Sequence, residues 1–247
     1  MQLTITHALA LLPGLSTRED WLNWAKSPTL PVDEKWSPSP ARVSKLNARR
    51  MSQGVRLATE VSLALNECER PEALVFSSRF GELARGEKVI RQLLEADSVS
   101  PTDFMVSVHN TAVGMASMQL KAPIPSTSVS SGVASFCSGL TEAYLFLTSG
   151  YSRVMLVDFD SLLPELIGSA FSLATPRVSY AVGLMLSLSK LSEGTEGRGL
   201  DFRLQYAHSE TLYEAPLPLG LSFYRAYLLG EPFSLRADTT TFQGDWL

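Results

Sequence analysis

Few side chains here are equipped for chemistry. Cys68 and Cys137 are the only thiols, and His7, His109 and His208 the only imidazoles. Cys137 lies in Ala134-Ser135-Phe136-Cys137-Ser138-Gly139-Leu140. A thiol there either attacks as a thiolate or fills a core as a small hydrophobe, and beside Phe136 and Leu140 burial is the expectation. Asp158 and Asp160 follow an apolar run two residues apart, on one side of an extended chain. Paired carboxylates could do acid–base work; a solvated strand end is the plainer reading. Ser130-Ser131-Gly132 before a helix suits an anion-binding helix start or a tight turn, and the turn is preferred. His109 reads as a hydrogen-bonded structural residue, and His7 and His208 as surface or core filler. No two histidines stand four apart and no CxxC pair occurs, so no metal site, redox dithiol or cofactor is expected.

These residues need elements to position them. An N-terminal strand is followed by a short helix capped by Thr17, with Asp20 in its first turn. Pro28, Pro31, Pro38 and Pro40 then make a surface loop. A long helix is expected from Val43 to Glu69, then a buried strand Ala73–Phe76 ending at Ser77-Ser78. Glu87–Ala96 reads as an amphipathic helix with Val89, Ile90, Leu93 and Leu94 on one side. Pro101 suits a helix start. Met105–Lys121 reads as another helix, whose Ala112, Gly114, Ala116 and Ser117 permit close packing. Thr127–Ser130 is strand-like, and Ser135–Ser149 is a helix closed by Gly150. The apolar runs Val154–Val157 and Ala181–Leu188 suit strands covered on both faces, as in a parallel sheet. Residues 191 to 199 read as a loop, Asp201–Ala207 as a strand and Leu221–Leu229 as a helix. Strands alternating with helices give an α/β, layered αβα fold.

Composition narrows the function. The 247 residues are 45% hydrophobic and 19% charged, which supports a packed core. The formal net charge is -4 and no basic run exceeds Arg49-Arg50, so nucleic acid is not an expected partner. No apolar run reaches the roughly 20 residues of a membrane-spanning helix. A soluble, cytoplasmic protein is expected.

Residues 100 to 160 carry a resemblance. Ser107-Val108-His109-Asn110-Thr111-Ala112-Val113-Gly114, then Pro125 to Gly132, then Ala134 to Ala143 and Gly150 to Asp158 are together similar to the amino-terminal half of β-ketoacyl synthases of the thiolase-like fold. The resemblance implies a chain truncated to about half a ketosynthase. Residues 1–247 would form one domain, with a core at 1–190 and a C-terminal extension at 191–247. A condensing enzyme needs a cysteine at the strand-to-helix turn to take the acyl chain as a thioester. Counted back from Gly150 without gaps, that place falls at Val133, which has no nucleophile. The family's carboxy-terminal histidines, or histidine and asparagine, and its lysine find no counterpart before the sequence ends. His109, Asn110, Gly114, Gly139 and Glu142 match motif positions of structural rather than catalytic kind.

The resemblance is nearest to the chain length factors of aryl polyene and type II polyketide systems. In those systems an inactive synthase-like subunit pairs with an active β-ketoacyl-ACP synthase and meets the acyl carrier protein indirectly. The implied seam is Ser126, Thr127, Ser128, Val129, Ser130, Ser131, Gly132 and Val133. The implied acyl-tunnel wall is Phe80, Ile90, Leu93, Leu94, Phe104 and Met105, although any one of these alone reads as ordinary core. Two other readings stand beside this one. One is a small acyltransferase or thioesterase-like enzyme using Cys137. The other is a carrier-protein docking module using Arg49, Arg50, Arg56 and Arg85.

Overall fold

The computed structural model describes residues 1–30, 36–38, 41–96, 98–121, 123–163, 178–188, 197–206, 216–237 and 240–247. Pro31, Pro40, His208 and most of the expected loop at 191–199 lie outside them. In chain order the elements are β1 (Gln2–Leu11), α1 (Arg18–Lys26), α2 (Lys45–Ala48), α3 (Gln53–Cys68), β2 (Ala73–Ser77), α4 (Leu83–Ala96), α5 (Pro101–Met105), α6 (Thr111–Leu120), β3 (Ser126–Val129) and α7 (Ser135–Thr148). Then come β4 (Val154–Asp160), β5 (Tyr180–Ser187), β6 (Arg198–Tyr206), α8 (Leu219–Leu229), β7 (Phe233–Ala237) and β8 (Thr240–Trp246).

The strands form one mixed sheet in the order β3-β2-β4-β5-β1-β6-β8-β7. β2 runs parallel to β3 and β4, whereas β5 is antiparallel to β4 and to β1. The apolar runs of β4 and β5 thus mark burial and not direction. Helices cover both faces, and that cover makes the runs continuous whichever way a strand points. One face packs α1, α7 and α8 around Phe136, Leu140, Leu156 and Phe223. The other packs α3 and α6 around Val61, Phe76, Ala116 and Phe159. The layered αβα expectation stands, and β6, β8 and β7 carry the same sheet on beyond β1.

The helix expected over Val43–Glu69 is two helices. Ser44 and Ser52 each accept a hydrogen bond from the backbone N–H three residues on, at 3.3 Å, so each starts a helix afresh. The second start is pressed onto the end of β4: a Cβ on Gly54 would lie 2.6 Å from Ser161 Oγ. The helix expected over Met105–Lys121 is also interrupted. Ser107 Oγ donates to the Phe104 carbonyl at 2.8 Å and terminates α5, and α6 begins only at Thr111. The Thr17 cap is present with Asp20 completing its capping box. The hairpin β7–β8 was not expected. Its signal is the alternating burial of Phe233, Leu235 and Ala237, a short pattern following Pro232.

Candidate functional site

The parallel strands β2, β3 and β4 end together, which is where ligands bind in α/β sheets. β3 runs into a tight turn before α7, as expected for Ser130-Ser131-Gly132. Gly132 takes φ +59°, which suits glycine, and Ser131 bridges to Val133. Ser135 Oγ donates to the Gly132 carbonyl at 2.7 Å and accepts from Ser131 N–H at 3.0 Å, so its hydroxyl is committed to holding the turn. Val133 occupies the turn half-buried. Behind it α7 lies tightly on the sheet, because a Cβ on Gly139 would sit 2.9 Å from Ser77 Cβ.

Below the turn is a cavity of about 30 Å³, lined among others by Arg79, Val133, Asp158, Asp160, Tyr180 and Leu219. It has room for one water molecule. Asp158 and Asp160 are buried there, which overturns the solvated strand end. Asp158 accepts from Ser77 Oγ at 2.6 Å and from Tyr180 Oη at 2.9 Å. Burial pushes its carboxyl up to about 7, with Asp160 adding repulsion, while the two hydroxyl donors pull the other way. Asp160 accepts from Ser78 Oγ at 2.6 Å, Phe80 N–H at 2.9 Å and Arg79 N–H at 3.2 Å. Burial raises it to about 6 against those donors. A Cβ on Gly220 would lie 2.3 Å from Asp158 Oδ2, so only glycine lets α8 start this close. Nearby, burial also raises Glu82 to about 7, although Ser52 Oγ donates to it at 2.5 Å.

Cys137 is the buried structural thiol expected. It lies on the buried face of α7, and burial, with Asp158 nearby, pushes the thiol far above its ordinary range. A thiol so held supplies almost no thiolate. His109 Nε2 donates to the Ser78 carbonyl at 3.2 Å, and its Nδ1 accepts from Ser128 Oγ at 2.8 Å. Its ring presses on Gly81, where a Cβ would stand 2.7 Å away. Asn110 begins α6 without a side-chain cap, and Glu142 is half-buried on α7. Gly114 is exposed with open space above it, so the close packing expected of it falls to Ala112 and Ala116. Sequence reasoning missed Ser77, Ser78, Arg79, Glu82 and Tyr180. The available signal was the row of polar residues that ends each buried apolar run.

β3 is an edge strand of the sheet and, among the described residues, its strand partner is β2. The six residues named for a tunnel wall are not core. Phe80 is half-buried; Ile90 is 58%, Leu93 53%, Leu94 80%, Phe104 62% and Met105 67% exposed, so α4 and α5 present apolar side chains outward. A groove of about 580 Å³ lies between α2, α5 and α6, lined by Arg50, Met105, Val108, Gly114, Met115 and Met118 among others. The four arginines considered for docking are not equivalent. Arg85 pairs with Asp103 at 3.4 Å and Arg56 binds Ser37, whereas Arg49 and Arg50 are exposed. Among the described residues, no cluster of three or more His, Cys, Asp or Glu could hold a metal, and no helix is long and apolar enough to cross a membrane.

Comparison with known proteins places this geometry. The sequence profile of the beta-ketoacyl synthase N-terminal domain matches residues 21–236. A chain from the structure of the ketosynthase ApeO in complex with its chain length factor ApeC, from Xenorhabdus doucetiae, is 33% identical. It superposes with a TM-score of 0.87 over 99% of each chain. The ishigamide ketosynthase/chain length factor is 15% identical, with a TM-score of 0.60 over 83% of this chain and 68% of its own. A chain from the AntDE:AntF structure, a type II PKS acyl-carrier protein in complex with its ketosynthase, is 13% identical, with a TM-score of 0.65 over 83% of this chain and 70% of its own. These two likenesses speak to the fold alone. No curated protein matches. The sheet with its two helical layers is the thiolase-like ketosynthase fold, at about half a ketosynthase's length. The chain belongs to the β-ketoacyl synthase N-terminal domain family.

Proposed function

We propose that this chain is a non-catalytic, chain-length-factor-like subunit. It pairs in the cytoplasm with an active β-ketoacyl-ACP synthase and helps shape that enzyme's acyl tunnel. The pathway is of aryl polyene, polyketide or fatty-acid type, and the carrier protein is met through the synthase. One observation carries the reading: a tight turn leads from β3 into α7 and holds Val133, and on this reading that turn is where a condensing enzyme carries its attacking sulfur. Valine cannot form the acyl thioester on which condensation depends. Cys137 cannot substitute from its place in the core. The relative from Xenorhabdus doucetiae, alike over 99% of both chains, comes from a synthase–chain length factor complex, which supports the pairing.

The surface supports it too. An unpaired strand edge beside exposed apolar helices invites a partner or aggregation. On this reading Ser126 to Val133 form the seam. Phe80, Ile90, Leu93, Leu94, Phe104 and Met105 approach the far end of the tunnel, where a longer chain meets steric overlap of about 1–3 kcal/mol.

The test is co-expression with an active β-ketoacyl-ACP synthase from the same source. The two are expected to elute together, and extender condensation is expected only when both are present. Condensation by this polypeptide alone, or a soluble monomer that captures no synthase, would overturn the proposal.

A further inference from the structure

β3 is four residues long and paired on one side only, so its position rests on few backbone bonds. A second set of bonds reaches it from the interior. Asp160, buried at the end of β4, receives Ser78 Oγ–H and the N–H groups of Arg79 and Phe80. Those three donors fix the turn that follows β2. Ser78 Oγ in turn accepts from Gly81 N–H at 2.6 Å, which closes the turn on itself. The Ser78 carbonyl then faces outward and accepts from His109 Nε2 at 3.2 Å. A carbonyl can only accept, so Nε2 carries the proton, and Nδ1 receives the Ser128 hydroxyl at 2.8 Å. Ser128 has one proton, and it is committed to that nearer acceptor rather than to the His109 carbonyl at 3.3 Å. Gly81, at φ +53°, brings the turn against the imidazole, and a Cβ there would stand 2.7 Å from His109 Cδ2. Two further bonds tie the same turn to β3 and its exit: Ser78 N–H to the Val129 carbonyl at 3.2 Å, and Ser130 Oγ–H to the Arg79 carbonyl at 3.4 Å.

We infer that Asp160, Ser78 and His109 are positioning residues forming a hydrogen-bonded relay that sets the edge strand β3 from the buried end of β4. They act on β3 through Ser128. Asp160 is a better anchor than another serine would be, because a carboxylate can accept all three donors at once. The relay also explains why His109 sits in the break between α5 and α6: inside a continuous helix it could not span Ser78 and Ser128. The relay stands on the geometry of this chain. Its consequence for a partner rests on the function proposed above, and the two can fail separately.

The test is hydrogen–deuterium exchange on the full chain, read in peptides covering residues 78–81, 123–133 and the central strands β1 and β5. Asp160→Asn replaces one acceptor oxygen by a donor. It is expected to speed exchange in β3 by about tenfold, the worth of roughly one net hydrogen bond, with β1 and β5 unchanged. Ser128→Ala is expected to do the reverse, loosening the 78–81 turn from the far end. The double variant is expected to fall well short of the product of the two single effects, since both variants break the path through His109. Additive effects, an unchanged β3 in Asp160→Asn, or uniform acceleration across the sheet would overturn the inference. If Asp160→Asn does not fold, Ser128→Ala decides alone, and faster exchange confined to β3 refutes the relay. Synthase capture by the same variants is a separate reading. Exchange that behaves as expected in a chain that captures no synthase refutes the pairing and leaves the relay standing.

Discussion

Replacing Asp158 by asparagine should make this protein more stable at pH 8 and leave it nearly unchanged at pH 4. The carboxyl has an ordinary value of 3.8 and is raised to about 7, first by burial and then by Asp160, against the pull of Ser77 and Tyr180. Between those values the folded chain holds the proton more tightly than the unfolded chain does. The stability this confers is complete below about pH 4 and is lost as the pH climbs through 7. Each tenfold change in proton affinity is worth about 1.4 kcal/mol, so roughly three such steps set a ceiling of about 4 kcal/mol. Asparagine keeps the volume, leaves a carbonyl oxygen for Ser77 and cannot ionise. The assay is urea unfolding of wild type and Asp158→Asn, followed by circular dichroism from pH 4 to pH 8. The gap should open with rising pH, at unchanged denaturant slope. A variant weaker than wild type at pH 8, or an offset equal at both ends, would show that burial does not govern this carboxyl.

Three further outcomes follow from the same packing. Tyr180→Phe removes a donor that favours ionised Asp158, so it should cost about 1–3 kcal/mol at pH 8 and less at pH 4 in the same titration. Gly183→Ala should destabilise by about 1–3 kcal/mol in thermal unfolding, because the added Cβ would stand 2.2 Å from Val61 Cγ1 and 2.7 Å from Leu65 Cδ1. On the proposed function, Phe104→Ala should leave synthase co-purification intact and shift products longer by mass spectrometry; an unchanged product distribution would remove Phe104 from the tunnel wall.

Much of the local structure was legible in the chain. Thr17 with Asp20 predicts the start of α1, Gly150 the end of α7, and the run at Val154 a buried strand; each depends on neighbours a few residues away. The tight turn before α7 was legible in the same way, from Ser130-Ser131-Gly132. The breaks at residues 49–52 and 106–110 were less so, because serines that cap a helix and serines that sit inside one look alike until their hydroxyls find partners. The direction of β5 was hidden for another reason: an apolar run records how well a strand is covered, and both orientations are covered equally.

The sequence alone determined the family likeness and most of the order of helices and strands up to α8, since these are properties of contiguous residues. Only the tertiary structure decided that Asp158 and Asp160 are buried beneath α7 and α8, that Ile90, Leu93, Leu94, Phe104 and Met105 face outward, and that His109 joins Ser78 to Ser128. Burial, and with it the proton affinity of a carboxyl, is set by what other segments bring to a side chain. For Asp158 those segments include Tyr180, 22 residues on, and Ser77, 81 residues before it.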